Sequence, residues 1–550
     1  MKSILSDWRF YWFLILLPVA LFLPAMPIDE TRYLTVAWEM RSSGDWLHLH
    51  LNGGPYADKG PLLFWLINLS WLVGGMHVWI VRLGVLVASL VSLLVFERLV
   101  LRLSADAALA RRAAVIFSGV LFFAVFASAI MFDVVLALFV LVALHGLVDF
   151  DERRWGRGIG VLSLGLGLGL LTKGPVVLLD VVFVAVLAPW WSDTARAQAG
   201  RWYGALLAGI LGGVLVALVW AIASFGPVGF WKAIVLKQTA GRIANSFAHA
   251  RPFWWYFMVL PVMILPWIVS LRAPWRAWRE SVTADKAARF GLVWFVPAFL
   301  IFCFLISGKQ PHYLLPLLPG LAIYAARVLG DGNARVRGRL FGLLLLVIGI
   351  ALAAAPWLVG HSAQLPYFSG LVHSGSFSPT EQRVIGGIWP LWGGLIALIG
   401  VFLLAHPRAH TRLPVLALAS AGAASIGMLT IAQAVGPTVD VTEVALRVRA
   451  AQEAGKPIAH IGNHHGLFGF PGRLTQPFER VELGNLYTWC TAHPDGEVIT
   501  IYSKYGVPVK PEAEVPYRLG RILIWRAADL CNGPHIEQQG KPDTDDTPDD

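Results

Sequence analysis

FYWFLILLPVALFLPAMPIDETRYLTVAWEM, residues 10–40, passes from one kind of apolar pattern to another. Residues 10–26 form a run long enough to cross a hydrocarbon core about 30 Å thick. From Asp29 to Met40 the apolar residues Tyr33, Leu34, Ala37 and Trp38 recur at helical spacing, with Asp29 placed to cap the start. That pattern predicts an amphipathic helix lying in the membrane interface. Composition agrees, because 57% hydrophobic against 14% charged residues in a 550-residue chain leaves too little polar surface for a set of soluble domains.

Runs of this length recur down to residue 434 and number about thirteen: 10–26, 79–101, 113–130, 133–149, 158–172, 174–191, 203–224, 254–271, 290–306, 312–328, 340–358, 386–404 and 413–434. Lys2 and Arg9 precede the first run as in a secretory signal, but the run is long for a signal core and no small-x-small site follows. A retained anchor is expected. Basic loops stay in the cytoplasm, and every second connection is basic, from Arg98, Arg102, Arg111 and Arg112 to Arg408 and Arg412. The N-terminus is therefore expected inside, the C-terminus outside, and the chain in a bacterial inner membrane. The net charge of +10 is spread over loops rather than gathered on one face, which argues against nucleic acid as a partner.

Three regions are expected: a transmembrane region over 1–435, a small outward α/β domain over 436–532 and a disordered acidic tail over 533–550. In the second, a helix at 441–454 and strands near 457–461, 497–502 and 520–525 are expected. Cys490 and Cys531 lie in it, and an outward location permits either a disulfide or two thiols.

The informative residues are polar ones at the outer ends of the spans, where few charges belong. The first outer loop, 27–61, holds Asp29, Glu30, Arg32, Asp58 and Lys59, a mixture suited to transfer from a phosphate. Its acids also fit plain roles, as cap and as favourable charge at a helix N-terminus. Asp133 heads the fourth span and reads as either a cap or a working acid. Lys173, in LLTKGPVVLL, either snorkels or contacts a phosphate. The loop 225–252 carries Lys232, Lys237, Arg242, His249 and Arg251 on the side where cations are least expected, which suggests an anionic ligand. SGKQPHYLLPLLPG, 307–320, places Lys309, Gln310, His312 and Tyr313 beside prolines that free backbone groups, a feature tolerated at membrane depth where a cavity exists.

In the order DETRY, a Lys-Gly-Pro stop, a helix-heading aspartate, LTKGP, HARPFWWY and KQPHYLLPLLP, residues 1 to about 435 resemble the aminoarabinose transferases that modify lipid A, within the dolichyl-phosphate-mannose-type mannosyltransferase superfamily. The resemblance implies an all-α GT-C membrane fold with interfacial helices in the first outer loop, a periplasmic active site and an undecaprenyl-phosphate sugar donor. It implies Asp29 as the catalytic or substrate-orienting carboxylate, Glu30 and Arg32 beside it, and Asp133 as the second acid. The family's Glu-Lys-Pro motif stands here as Asp58, Lys59, Gly60 and Pro61. That departure keeps Lys59 as a phosphate contact and weakens a divalent-metal site formed by Asp58 and His249.

The expected substrate contacts are Arg32, Tyr33, Asp58, Lys59, Lys173, Arg242, Lys309, His312 and Tyr313, in a monomer acting on lipid A or a related envelope acceptor. No strand followed by a glycine-rich phosphate loop occurs, so a nucleotide-sugar donor has no evident seat. Lys59, Lys173, Arg242 and Lys309 are the cations available to stabilise a departing polyprenyl phosphate. Two other readings stand beside this one: a polyprenyl-phosphate-sugar transferase acting on protein or O-antigen, and a transporter or flippase for a lipid-linked substrate.

Overall fold

The computed structural model describes residues 7–224, 250–331, 334–365, 379–406, 408, 411–477, 479–501, 509–518 and 520–533. Among them seven helices are long and apolar enough to cross a membrane, or eight if the bent pair Thr380–Gly386 and Pro390–Ala405 is one span. The expected thirteen runs are almost all helical, but several are too short or too broken to count. Proline and glycine do the breaking. The run 113–130 divides at Gly119 into α5 (Ala107–Ser118) and α6 (Leu121–Phe126). The run 254–271 divides near Pro266, and 312–328 begins as a 3₁₀ turn over Pro311–Leu317 before the helix Leu318–Val328.

The first run is α1 (Trp8–Phe22), and Asp29–Ser43 follows as α2. A two-residue hairpin pairs His50–Leu51 with Gly54–Pro55. Then comes a helix the apolar count passed over, α3 (Leu62–Gly74), and the long α4 (Val78–Ser104). Next are α7 (Phe132–Asp151), α8 (Trp155–Lys173) and α9 (Val176–Val186). α8 packs between α7 and Ala199–Ala223 through glycines. A Cβ on Gly165 would stand 2.4 Å from the Ala143 backbone nitrogen, so only glycine permits that approach. One face of the bundle gathers the start of α2, the start of α7, the end of α8 and the Pro311–Leu317 turn. The opposite face carries arginines held by acids, with Arg102 Nε 3.1 Å from Glu152 and Arg154 Nη1 3.1 Å from the same carboxylate.

Beyond the last span, Leu413–Ala434, the helix Thr442–Glu453 and a five-stranded sheet form a separate hydrophobic centre. The strand order is 479–481, 458–461, 497–501, 520–526, 513–517, with the first two pairings parallel and the last two antiparallel. Cys490 and Cys531 are both thiols. Cys531 Sγ lies 3.7 Å from the Tyr487 carbonyl and from Thr491 Oγ1, on the same helical turn as Cys490.

This C-terminal unit sits directly on α2. Thr35 Oγ1 donates to the Gly466 carbonyl at 2.6 Å and accepts from the Phe470 amide at 3.0 Å. Trp38 Nε1 donates to the Leu474 carbonyl at 2.7 Å, and Phe470 stacks on Trp71 of α3 at 5.1 Å. The amphipathic α2 therefore buries one side against the bundle and another against the sheet domain, which explains how a helix with so little net hydrophobicity stays in place.

Candidate active site

Two carboxylates expected to cap helices do something else. The residue before α2 is Ile28, and neither it nor Met131, which precedes α7, makes a side-chain cap. Asp29 instead accepts a hydrogen bond from Tyr33 Oη at 3.0 Å, one helical turn on. Burial, followed by the Asp29 charge, pushes the Tyr33 phenol well above its usual pKa, so it remains a donor. Burial likewise raises the Tyr56 phenol, which lies in the field of Arg32, Asp58 and Asp29. Those five residues make one half of the site.

The other half forms where α7, α8 and the Pro311–Leu317 turn meet. Asp133, 2% exposed, accepts from Lys173 Nζ at 2.6 Å, and His312 Nε2 stands 3.8 Å from its second oxygen. Lys173 Nζ lies 4.3 Å from the centroid of the Tyr313 ring, within cation–π range. The prolines keep residues 311–317 from forming an ordinary helix, and Tyr256 Oη, donating to the Gln310 carbonyl at 3.0 Å, pins the turn. The Arg251 amide donates to the Ser307 carbonyl at 3.2 Å and Ala250 bridges Gly308, so residues 250–251 and 307–308 lie side by side.

The halves adjoin. The charges acting on His312 are those of Asp133, Lys173, Asp29 and Lys59, drawn from four separate segments. Lys59 Nζ is 6.0 Å from the centre of the Phe132 ring, against which Tyr33 packs edge-on at 4.8 Å. Gly60 explains how Lys59 arrives there. A Cβ at that position would fall 2.0 Å from the Leu171 carbonyl oxygen, so the loop can press against the end of α8 only as glycine.

Four expected residues fare differently. Glu30, expected to be catalytic, is a clamp instead. Its carboxylate takes hydrogen bonds from the Met26 and Ile130 amides, both at 2.8 Å, and pairs with Arg82. Arg82 is itself fully buried and also donates to the carbonyls of Leu23, Pro24 and Ser128. With those three partners the carboxylate joins the ends of α1 and α2 to α4 and to the segment leading into α7. Lys309, expected to bind substrate, donates to the Ile306 carbonyl, and none of its described contacts reaches Asp133 or His312. Arg242 lies outside the described residues, as does His249, the proposed metal partner of Asp58. Among the described residues no three or more His, Cys, Asp or Glu side chains gather as a metal site.

Sequence reasoning passed over Asp180. It sits in α9, 1% exposed, with neither oxygen hydrogen-bonded among the described residues, and the charges acting on it are Lys173 and Asp133. An acid inside VVLLDVVFVAV was visible as an anomaly, since intramembrane acids are rare and face working interiors. His465 was passed over too; its Nδ1 comes within 3.5 Å of Arg32 Nη2.

A many-spanned helical bundle with cations and acids gathered at one face and an appended sheet domain defines a polytopic membrane protein of the GT-C fold. Residues 2–234 match the family model described as dolichyl-phosphate-mannose-protein mannosyltransferase. The undecaprenyl phosphate-α-4-amino-4-deoxy-L-arabinose arabinosyl transferase of Edwardsiella ictaluri is 32% identical over 67% of this chain and 67% of its own length. The arabinosyl transferase 2 of Sodalis glossinidius is 35% identical over 62% of each chain, so the match spans less than two thirds of that relative. The crystal structure of ArnT from Cupriavidus metallidurans bound to undecaprenyl phosphate superposes with a TM-score of 0.72 over 97% of this chain and 99% of that one, at 17% identity. The chain belongs to the family of these arabinosyl transferases.

Proposed function

We propose that the chain transfers 4-amino-4-deoxy-L-arabinose from undecaprenyl phosphate to lipid A at the periplasmic face of the bacterial inner membrane. The observation that carries this reading is the meeting of Asp29, Lys59, Asp133, Lys173 and His312 at one membrane face, in a chain whose relatives are named as arabinosyl transferases of undecaprenyl phosphate-aminoarabinose. The face opposite the site bears the paired arginines, in keeping with a cytoplasmic location for them.

In the transfer, the bond from the anomeric carbon to the donor phosphate breaks, a bond from that carbon to an acceptor oxygen forms, and undecaprenyl phosphate departs. Lys173 and Lys59 stabilise the charge left on the phosphate. Asp133 and the Tyr313 ring hold Lys173 at the pocket until the donor arrives. Asp29, fixed by Tyr33, meets the acceptor. Toward a hydroxyl it acts as general base for an in-line displacement that inverts the anomeric centre; toward an ionised phosphate it positions the nucleophile.

Purified protein given undecaprenyl-linked aminoarabinose and lipid A is expected to release undecaprenyl phosphate and to add one aminoarabinose mass to lipid A. Asp29→Asn is expected to abolish both while preserving the thermal melt. Full turnover by that variant removes Asp29 from the mechanism. Wild-type protein that modifies a different envelope acceptor and leaves lipid A unchanged overturns the acceptor assignment.

A further inference from the structure

Arg32, Thr35, Glu39 and Ser42 follow one another at intervals of three to four residues and so share one face of α2. Asp29 heads the same helix. The loop 462–477 of the C-terminal domain runs along this face, and between them lies a cavity of about 280 Å³. Its walls are rich in hydroxyl and amide groups, among them Ser42, Ser43, Asn52 and Gln476. At the end nearer Asp29, past Thr35, stand Arg32 and the His465 ring.

The loop is built to hold this position. His465 has φ of 48°, a left-handed conformation that costs a non-glycine residue free energy and persists only where surrounding contacts over-determine it. Those contacts are present on either side of Thr35. A Cβ on Gly466 would fall 2.5 Å from Leu51 Cδ1, and one on Gly469 would fall 2.4 Å from Thr35 Cγ2. The far wall is equally fixed, since the Glu39 carboxylate accepts from the Asn52 and Gly53 amides at 2.6 and 3.0 Å.

We infer that this cleft seats the phosphorylated saccharide head group of the acceptor, with its anionic group at Arg32 and His465 and its sugar hydroxyls along Ser42, Asn52 and Gln476. The inference rests on the proposed transfer and adds where the acceptor lies. A guanidinium beside an imidazole suits an oxyanion, and a wall of hydroxyl and amide groups, with the Glu39 carboxylate already held by two amides, suits a polyol. Arg32 and His465 stand beyond the cavity's lining, and so do Lys59 and Lys173, the cations assigned to the donor phosphate. In this arrangement the C-terminal domain completes the acceptor side through His465, beside Arg32 on the helix that Asp29 heads.

Two substitutions test this, Ser42→Trp to fill the cleft and His465→Ala to remove the imidazole while leaving the Gly466 and Phe470 backbone contacts to Thr35. Each is expected to raise the KM for lipid A by roughly tenfold or more, with the KM for undecaprenyl-linked aminoarabinose moved by less than about twofold. A purely structural effect would move both constants or the melting temperature. Unchanged lipid A KM in a folded Ser42→Trp protein overturns the inference; so does a donor KM that rises in parallel, which would make the cleft a donor-sugar site.

Failure of the activity itself is told apart by binding. If wild type shows no turnover, the soluble bisphosphorylated glucosamine disaccharide is titrated into wild type and Ser42→Trp. Binding by wild type that the tryptophan weakens supports the cleft as a phosphosaccharide site, and equal binding or none sinks it.

Discussion

Glu30–Arg82 and Asp133–Lys173 are both buried acid–base pairs at the same membrane face, and they have opposite characters. The first is closed. Both oxygens of Glu30 accept, from backbone amides and Arg82, and Arg82 donates to three carbonyls besides. The second is open, with one short contact from a lysine, a histidine at 3.8 Å and an aromatic ring beneath the ammonium. A planar guanidinium among carbonyls fixes geometry, whereas a lysine on a flexible stem can trade its carboxylate for a phosphate. Burial and pairing alone do not mark a working group; what matters is whether the partners are exchangeable.

The largest expected effect tests the open pair. Asp133→Asn is expected to lower undecaprenyl phosphate release about a thousandfold, ~4 kcal/mol of transition-state stabilisation, with a smaller drop in melting temperature than any change in the closed pair. Near-normal turnover would erase the distinction from one side. The closed pair is attacked with Arg82→Met, which leaves Glu30 buried without its cation and should cost about 3 kcal/mol of stability, read as a lowered melting temperature. Turnover per folded molecule should fall far less than in Asp133→Asn, and a folded variant that is catalytically dead would place Arg82 in the chemistry.

Tyr33→Phe refines the comparison within the first half of the site. It removes one hydrogen bond to Asp29, worth about 1 kcal/mol, so a fivefold to tenfold loss of kcat is expected, on the order that energy implies. An unaltered kcat would mean that packing alone orients Asp29.

The smallest effect concerns a buried base in the C-terminal domain. Burial, then the charges of His460, His465 and Arg480, holds the His464 imidazole well below its usual pKa of 6.5. The unfolded chain then binds this proton more readily than the folded one, so its contribution to stability is full above pH 6.5 and is lost as pH falls below that value. The melting temperature should decline between about pH 7 and 5.5, and His464→Gln should flatten that slope. A slope that survives the substitution assigns it to other groups.

Much of this site was legible because its residues break local rules. Asp133 and Lys173 are charges at the ends of apolar runs, and His312 and Tyr313 stand in a proline-broken one, so each is visible without knowing its partner. Glu30 was misjudged for the complementary reason: its partner, Arg82, lies 52 residues away inside α4, and its other ligand is the amide of Ile130. Sequence proximity to Asp29 suggested a shared task that helix geometry denies, since adjacent residues on a helix point in different directions. The span boundaries blurred where prolines shorten helices, because hydropathy registers composition and not continuity. His465 left no trace of its own, for its loop finds α2 through contacts more than 430 residues apart in the chain.

The way α2 is clasped has a consequence for anyone recombining these enzymes. Its two sides answer to different modules, one to the bundle through Glu30 and Tyr33 and the other to the sheet domain through Thr35 and Trp38. A chimera that exchanges residues 436–532 with those of a relative but keeps the native α2 would therefore set a foreign loop on an unmatched surface. The compatible unit of exchange is discontinuous: the C-terminal domain together with the Arg32–Ser43 face that receives it.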